Sequence, residues 1–202
     1  MKKGFTLLEL LIVIGILAIL SSVTVLVLNP AELLRQARDT QRINDLGTLN
    51  NALALYASTA ATVSLGTLGV PYSHNGGTNA STTAAFGSAC GGDVTGHVSS
   101  TNRTPTTSGW IPVDFSQVSG GSPLAVLPVD PSSGVGTIVT SDDWQLVYWY
   151  ESSTASSTWE LAAKMESARY KAGGPNDVST NDGGTCSHWY EVGTEPGLDL
   201  GS

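Results

Sequence analysis

Apolar and polar positions divide the chain into stretches of different period. Residues 5–28, FTLLELLIVIGILAILSSVTVLVL, are apolar all the way round, with Glu9 as their single charge. As one helix they would extend about 36 Å at about 1.5 Å per residue, enough to cross a hydrocarbon layer. The following LNPAELLRQARDTQRINDLGTLNNALALYAS repeats Ile43, Leu46, Leu49, Leu53 and Tyr56 at the three-or-four spacing of one buried helix face. Asn29 as N-cap, Pro30 at the first helical position and Glu32 three residues after the cap make a capping-box-like start, so a break is expected at Asn29 and Pro30. A helix running straight through would instead lose the bond to the Leu26 carbonyl and bend. Gly47 weakens this helix by about 1 kcal/mol relative to alanine, and nothing in the sequence says why it is there.

From Trp110 onward the period changes to two. WQLVYWYE alternates Trp144, Leu146, Tyr148 and Tyr150 against Gln145, Val147, Trp149 and Glu151. STWELAAKME alternates Trp159, Leu161, Ala163 and Met165 against Glu160, Ala162, Lys164 and Glu166. The two read as a hairpin turned by SSTASS, the apolar face of the second strand covering the helix. LPVDPSS, with Pro128 and Pro131, turns the chain ahead of it. Residues 57–109 are rich in Ser, Thr, Gly, Ala and Asn, and their length suggests short strands or a helical turn within an otherwise loop-like connection. The expected fold is α+β: a long N-terminal helix whose second half packs on an antiparallel sheet in the C-terminal head. The five tryptophans are expected in its core and on its sheet faces.

Charge narrows the partners. The chain of 202 residues has a net charge of -8. Its last 157 residues hold only Arg103, Lys164, Arg169 and Lys171 against thirteen acids. Such a head repels phosphate backbones, so direct nucleic-acid binding is not expected. Arg35, Arg38 and Arg42 interleave with Glu32, Asp39 and Asp45 at helical spacings and read as a solvated, salt-bridged face. Lys2 and Lys3 before the apolar run keep the N-terminus cytoplasmic and send the head across the membrane. A cleaved secretory signal would also have basic residues, an apolar core and small residues such as Ser21 and Ser22. The charge at Glu9 and the resumption of apolar sequence at VTVLVL argue against one.

The stretch KKGFTLLELLIVIGILAIL closely resembles the leader and first helical turns of type IV prepilins and pseudopilins: a short basic leader, Gly4 before the cut, Phe5 as the new N-terminus, Thr6, and the acid at Glu9. The resemblance implies cleavage between Gly4 and Phe5 by a membrane-embedded prepilin peptidase, methylation of the freed amine, and polymerisation through the N-terminal helix. The organisation expected is a leader at 1–4, a transmembrane and filament-core helix at 5–28, an amphipathic second half at 29–58, a variable connection at 59–109, and the sheet part of the head at 110–202. Glu9 needs a partner, because a lone carboxylate in a membrane segment is costly. The rest of residues 5–28 offers no cation, so the Phe5 amine created by cleavage is the expected partner, chiefly that of an adjacent subunit. A carboxylate that snorkels to the interface or stays protonated is the alternative.

No catalytic constellation stands out. His74, His97 and His188 lie in polar loops, without a nucleophile-elbow, phosphate-loop or zincin motif. Cys90, His97, Cys186 and His188 lack the compact pairs common in structural zinc sites. In a head exported to an oxidising compartment, Cys90 and Cys186 are expected to form one disulfide. Asp177, Asn181 and Asp182, in a glycine-containing stretch, are weak calcium candidates without EF-hand spacing, and the resemblance to major pseudopilins implies a calcium site near the C-terminus. No other cofactor is expected. Asn79 and Asn102 begin weak glycan-acceptor patterns.

The leading expectation is a non-enzymatic structural subunit of a type IV pilus or related filament. Its partners would be identical or homologous subunits, prepilin peptidase, the pilus or secretion assembly machinery, and membrane lipid before assembly. It would sit as a single-pass protein of the cytoplasmic membrane, then in an extracellular pilus or periplasmic pseudopilus. The alternatives are a minor pilin or pseudopilin of type II secretion or DNA uptake and, outside the family, a membrane-tethered binding protein or enzyme.

Overall fold

The computed structural model describes residues 4–74, 98–132, 146–153 and 158–195, without the side chains of 25–28. Helix α1 spans Leu7–Leu28 and helix α2 spans Pro30–Thr59. A sheet then forms from β1 (Tyr72–His74), β2 (Val98–Ser100), β3 (Trp149–Ser152), β4 (Trp159–Ala163) and β5 (Tyr190–Gly193). Its order is β2-β1-β3-β4-β5, antiparallel throughout except for the parallel β1–β2 pair. The architecture is α+β and pilin-like.

Both pieces of the break follow from local chemistry. Asn29 has φ 40° and is the only described non-glycine residue with positive φ. Asparagine tolerates this left-handed conformation better than most residues, and here it ends α1 and caps α2 at once. Its carbonyl accepts from the Glu32 and Leu33 amides, while Pro30, which has no amide hydrogen to satisfy, opens α2.

The helix stripe meets the sheet along one core. Leu46, Leu49, Leu53 and Tyr56 are buried with Tyr148, Tyr150, Trp159, Leu161 and Ala163, together with Trp110, Ile111 and Phe115 from the connecting segment. Ile43 is only half-buried, at the stripe's edge. Two polar links set the helix against the sheet: Trp159 Nε1 donates to Asn50 Oδ1 at 2.9 Å, and the Tyr148 hydroxyl donates to Asp45 at 2.8 Å. These two buried aromatics thus find partners for their polar ends. A Cβ at Gly47 would meet nothing within 4 Å, so nothing in the structure explains that glycine.

The sheet departs from the expected alternation in two ways. Its outer face is covered as well: Val147, Trp149 and Ala162 pack beneath Cys186 and Trp189. Strand β4 also ends at Ala163, short of the predicted Glu166, because the Glu166 and Ser167 amides donate to the Asp39 carboxylate at 3.0 and 2.8 Å. Two short strands, β1 and β2, occur within the predicted connection. Trp144, Gln145 and most of the SSTASS turn lie outside the described residues.

Candidate functional site

The N-terminus is organised by a capping box. Thr6, extended at φ -84° and ψ 150°, caps α1. Its hydroxyl accepts from the Glu9 amide at 3.3 Å and donates to Glu9 Oε2 at 2.8 Å, while its own amide donates to the same oxygen at 3.0 Å. Within one uncut chain, then, Thr6 already serves one oxygen of the Glu9 carboxylate. The signal was readable as Thr-x-x-Glu ahead of an apolar run. Phe5, 79% exposed, stands outside the first turn next to Gly4, and Glu9 Oε1 has no partner among the described residues.

Beyond Glu9 the helix presents only side chains compatible with hydrocarbon. Leu7–Thr24 is long and apolar enough to cross a membrane, and none of it is buried within the protein. Ser21, Ser22 and Thr24 return their hydroxyls to the Leu17, Ile19 and Ser21 carbonyls, so each is satisfied within the helix.

Where α2 leaves this span, only Arg35 and Glu32 keep the predicted solvated, salt-bridged arrangement, at 3.7 Å, and the residues beyond them turn inward. Arg42 and Asp39 are fully buried. Arg42 Nε and Nη2 form a bidentate pair with Asp130 at 2.6 and 2.9 Å, Nη1 reaches Asp39 and Glu166 at 2.7 Å each, and Nη2 also donates to Ser132 at 3.0 Å. Arg38 adds a second fork to Glu166 at 2.7 and 3.0 Å. All five guanidinium N–H groups of Arg42 are therefore used, the condition under which a buried arginine is tolerated. Burial alone would favour neutral Arg42; its bonds to Asp130 and Glu166 outweigh that and hold it charged, above its ordinary range. Burial likewise raises Glu166, but the two arginines more than reverse this and hold its carboxyl below the usual range. The cluster fixes α2 to the LPVDPSS turn and to the segment after β4. Helical spacing alone cannot distinguish it from a surface ladder, because its key partners lie far away in sequence.

A second acidic group lies on the outer sheet face. Glu151 and Glu160 are cross-strand partners, and Glu191 is diagonal to Glu160 on β5. Burial, then the nearby Glu160 carboxyl, pushes Glu151 up to about 7 and Glu191 up to about 8.

The predicted calcium residues share one segment beside β5. Asp177 accepts from the Gly173 amide and from the Thr180 amide and hydroxyl, at 2.6–3.0 Å. Asp182 accepts from the Gly184 and Glu191 amides, and Asn181 donates to the Asp177 carbonyl. These carboxylates are directed at protein donors, and among the described residues no group of three or more His, Cys, Asp or Glu is arranged to hold a metal. Cys186 is buried and His188 exposed, while Cys90 and His97 lie outside the described residues, as does Asn79. Asn102 is half-buried, its side chain bonded to the Thr104 amide and the Ser108 hydroxyl.

An apolar helix with one capped acid, followed by a helix docked on a mostly antiparallel sheet, is a pilin-like arrangement. Residues 1–25 match the family model of the prokaryotic N-terminal methylation motif, the motif of type IV pilin-type prepilins. No curated protein and no solved structure matches the chain. The motif supports a type IV pilin-like or pseudopilin substrate of prepilin peptidase, and with the apolar helix it fits a membrane-anchored precursor.

Proposed function

We propose that this protein is a structural, non-enzymatic subunit of a type IV pilus or related filament, cut between Gly4 and Phe5, methylated at the new amine and assembled through α1. The observation that carries this reading is the methylation motif at residues 1–25 leading into an apolar helix whose one carboxylate is Glu9. Thr6 and the freed Phe5 amine divide the carboxylate between them. Thr6 orients Oε2, and Oε1 takes the amine, chiefly that of a neighbouring subunit shifted along the filament. Helix association in lipid gains little from hydrophobicity, so such a pair can set the axial offset even when its net stabilisation is modest.

Mass spectrometry of the exported chain tests processing: the mature protein should begin at Phe5 and carry an N-methyl group, and Gly4→Leu should block cutting. A chain beginning at Met1, or near Ser22, would contradict the proposal. Purified surface filaments whose main protein is this chain would support a major subunit; a trace amount would favour a minor pilin or pseudopilin.

A further inference from the structure

Few bases in the head are available for a partner, and the fold places exposed ones together at the head's base. Glu32, four residues beyond Leu28, accepts from the Ala168 amide at 2.7 Å. Four residues span at most about 14 Å when extended, and about 6 Å as helix. The loop after Ala168 is therefore tethered close to the end of the apolar span. The interfacial layer of a bilayer is about 5–7 Å deep on each side of the hydrocarbon.

That loop reads Arg169-Tyr170-Lys171. Arg169 and Lys171 are exposed and make no ion pair among the described residues, while Tyr170 is half-buried with the Arg169 guanidinium 5.6 Å from its ring centre. On α2, Arg35 is 52% exposed and, among the described residues, its one ion pair is a long 3.7 Å contact with Glu32. The nearby acids are already engaged: Glu166 by Arg38 and Arg42, and Asp177 by Gly173 and Thr180. The loop is also built rather than slack. The Lys171, Gly174, Asn176 and Val178 amides bond across it, and a Cβ at Gly174 would come within 2.4 Å of the Ala168 carbonyl. Cations flanking a tyrosine at this depth have the chemistry of an interfacial anchor.

We propose that Arg169, Tyr170 and Lys171, with Arg35, form a surface that binds the headgroups of anionic phospholipid in the outward-facing leaflet before the subunit enters a filament. This rests on the reading of α1 as a membrane span. The contact holds the head down on the bilayer, and leaving the membrane for the filament breaks it.

The test uses the full chain reconstituted in vesicles of equal parts phosphatidylglycerol and phosphatidylcholine, with a benzophenone photo-crosslinker in place of Tyr170 and, separately, in place of the exposed Ala172. Each base near an anionic surface contributes about fivefold to binding. Arg169 and Lys171 together should therefore give phosphatidylglycerol adducts an excess over phosphatidylcholine adducts of about 25-fold or more, and that excess should fall by about 25-fold in Arg169→Gln/Lys171→Gln and collapse in high salt. Equal adducts with both lipids in the unsubstituted background, or adducts only to a second copy of the chain, overturn the lipid contact. Retention of the chain after a carbonate wash checks the span independently; if it washes off, the reading of α1 fails and the lipid contact fails with it.

Discussion

Arg42 and Asp130, 88 residues apart, form a two-point ion pair in which neither side chain has any exposed surface. Removing Arg42 leaves Asp39, Asp130 and part of Glu166 as buried charge without their guanidinium. Arg42→Leu should cost about 3–5 kcal/mol. Arg42→Lys should recover little, because three donors on one ammonium cannot replace a planar fork of five. Denaturant unfolding followed by tryptophan fluorescence measures this; a loss below about 1 kcal/mol for Arg42→Leu would show that the cluster does not clamp the head.

The Thr6–Glu9 box makes two substitutions separable. Thr6→Ala should lower the stability of the first turn of α1 by about 1 kcal/mol, whereas Thr6→Ser should be neutral. Glu9→Val should leave membrane level and processing intact while impairing filament growth. Strains carrying each variant as their only copy can be scored for membrane level, mature mass and surface filaments. Normal filament numbers with Glu9→Val would remove the carboxylate from the assembly contact.

The outer-face glutamates give the head a pH dependence of definite sign. Glu151 and Glu191 titrate near 7 and 8 when folded, against about 4.3 in an unfolded chain. The folded state thus binds more protons between these values, and their contribution, complete below about pH 4.3, is lost as pH rises to about 8. Glu166 runs oppositely: its contribution, present above its unfolded value, is lost as pH falls through its depressed folded value. Thermal unfolding should show greatest stability in mildly acidic buffer. Glu191→Gln should flatten the alkaline side and gain about 1 kcal/mol at pH 8, roughly 2–4 °C in Tm. A pH-independent Tm between 5 and 8 would contradict the assignment.

A Cys90–Cys186 bridge would close nearly a hundred residues and contribute up to about 4.7 kcal/mol on a chain-entropy view. Thiol labelling of the unfolded, unreduced protein should find no free thiol. Two per chain would exclude the bridge.

The sequence by itself determined the features that depend on neighbours in the chain. The length of α1 follows from an unbroken apolar run, the turn at Asn29 from an asparagine that tolerates positive φ beside a proline, and the docking face of α2 from the spacing of Leu46, Leu49, Leu53 and Tyr56. Even the Thr6–Glu9 box was legible, since its residues are three apart. Tertiary structure alone decided what depends on distant segments meeting. Arg42 has the helical spacing of a surface base and is buried because the turn at Asp130 and the end of β4 at Glu166 bring carboxylates to it. Glu151, Glu160 and Glu191 look like the polar half of alternating strands. They crowd together because strand register sets them side by side, and the segment carrying Cys186 and Trp189 covers the neighbouring outer-face residues of the sheet. Arg169 and Lys171 lie far along the chain, and the Glu32–Ala168 bond brings them to the foot of α2. Periodicity reports which face of an element is apolar; only the packing of elements fixes the distance between charges, and with it whether a charge is solvated, paired or crowded against its like.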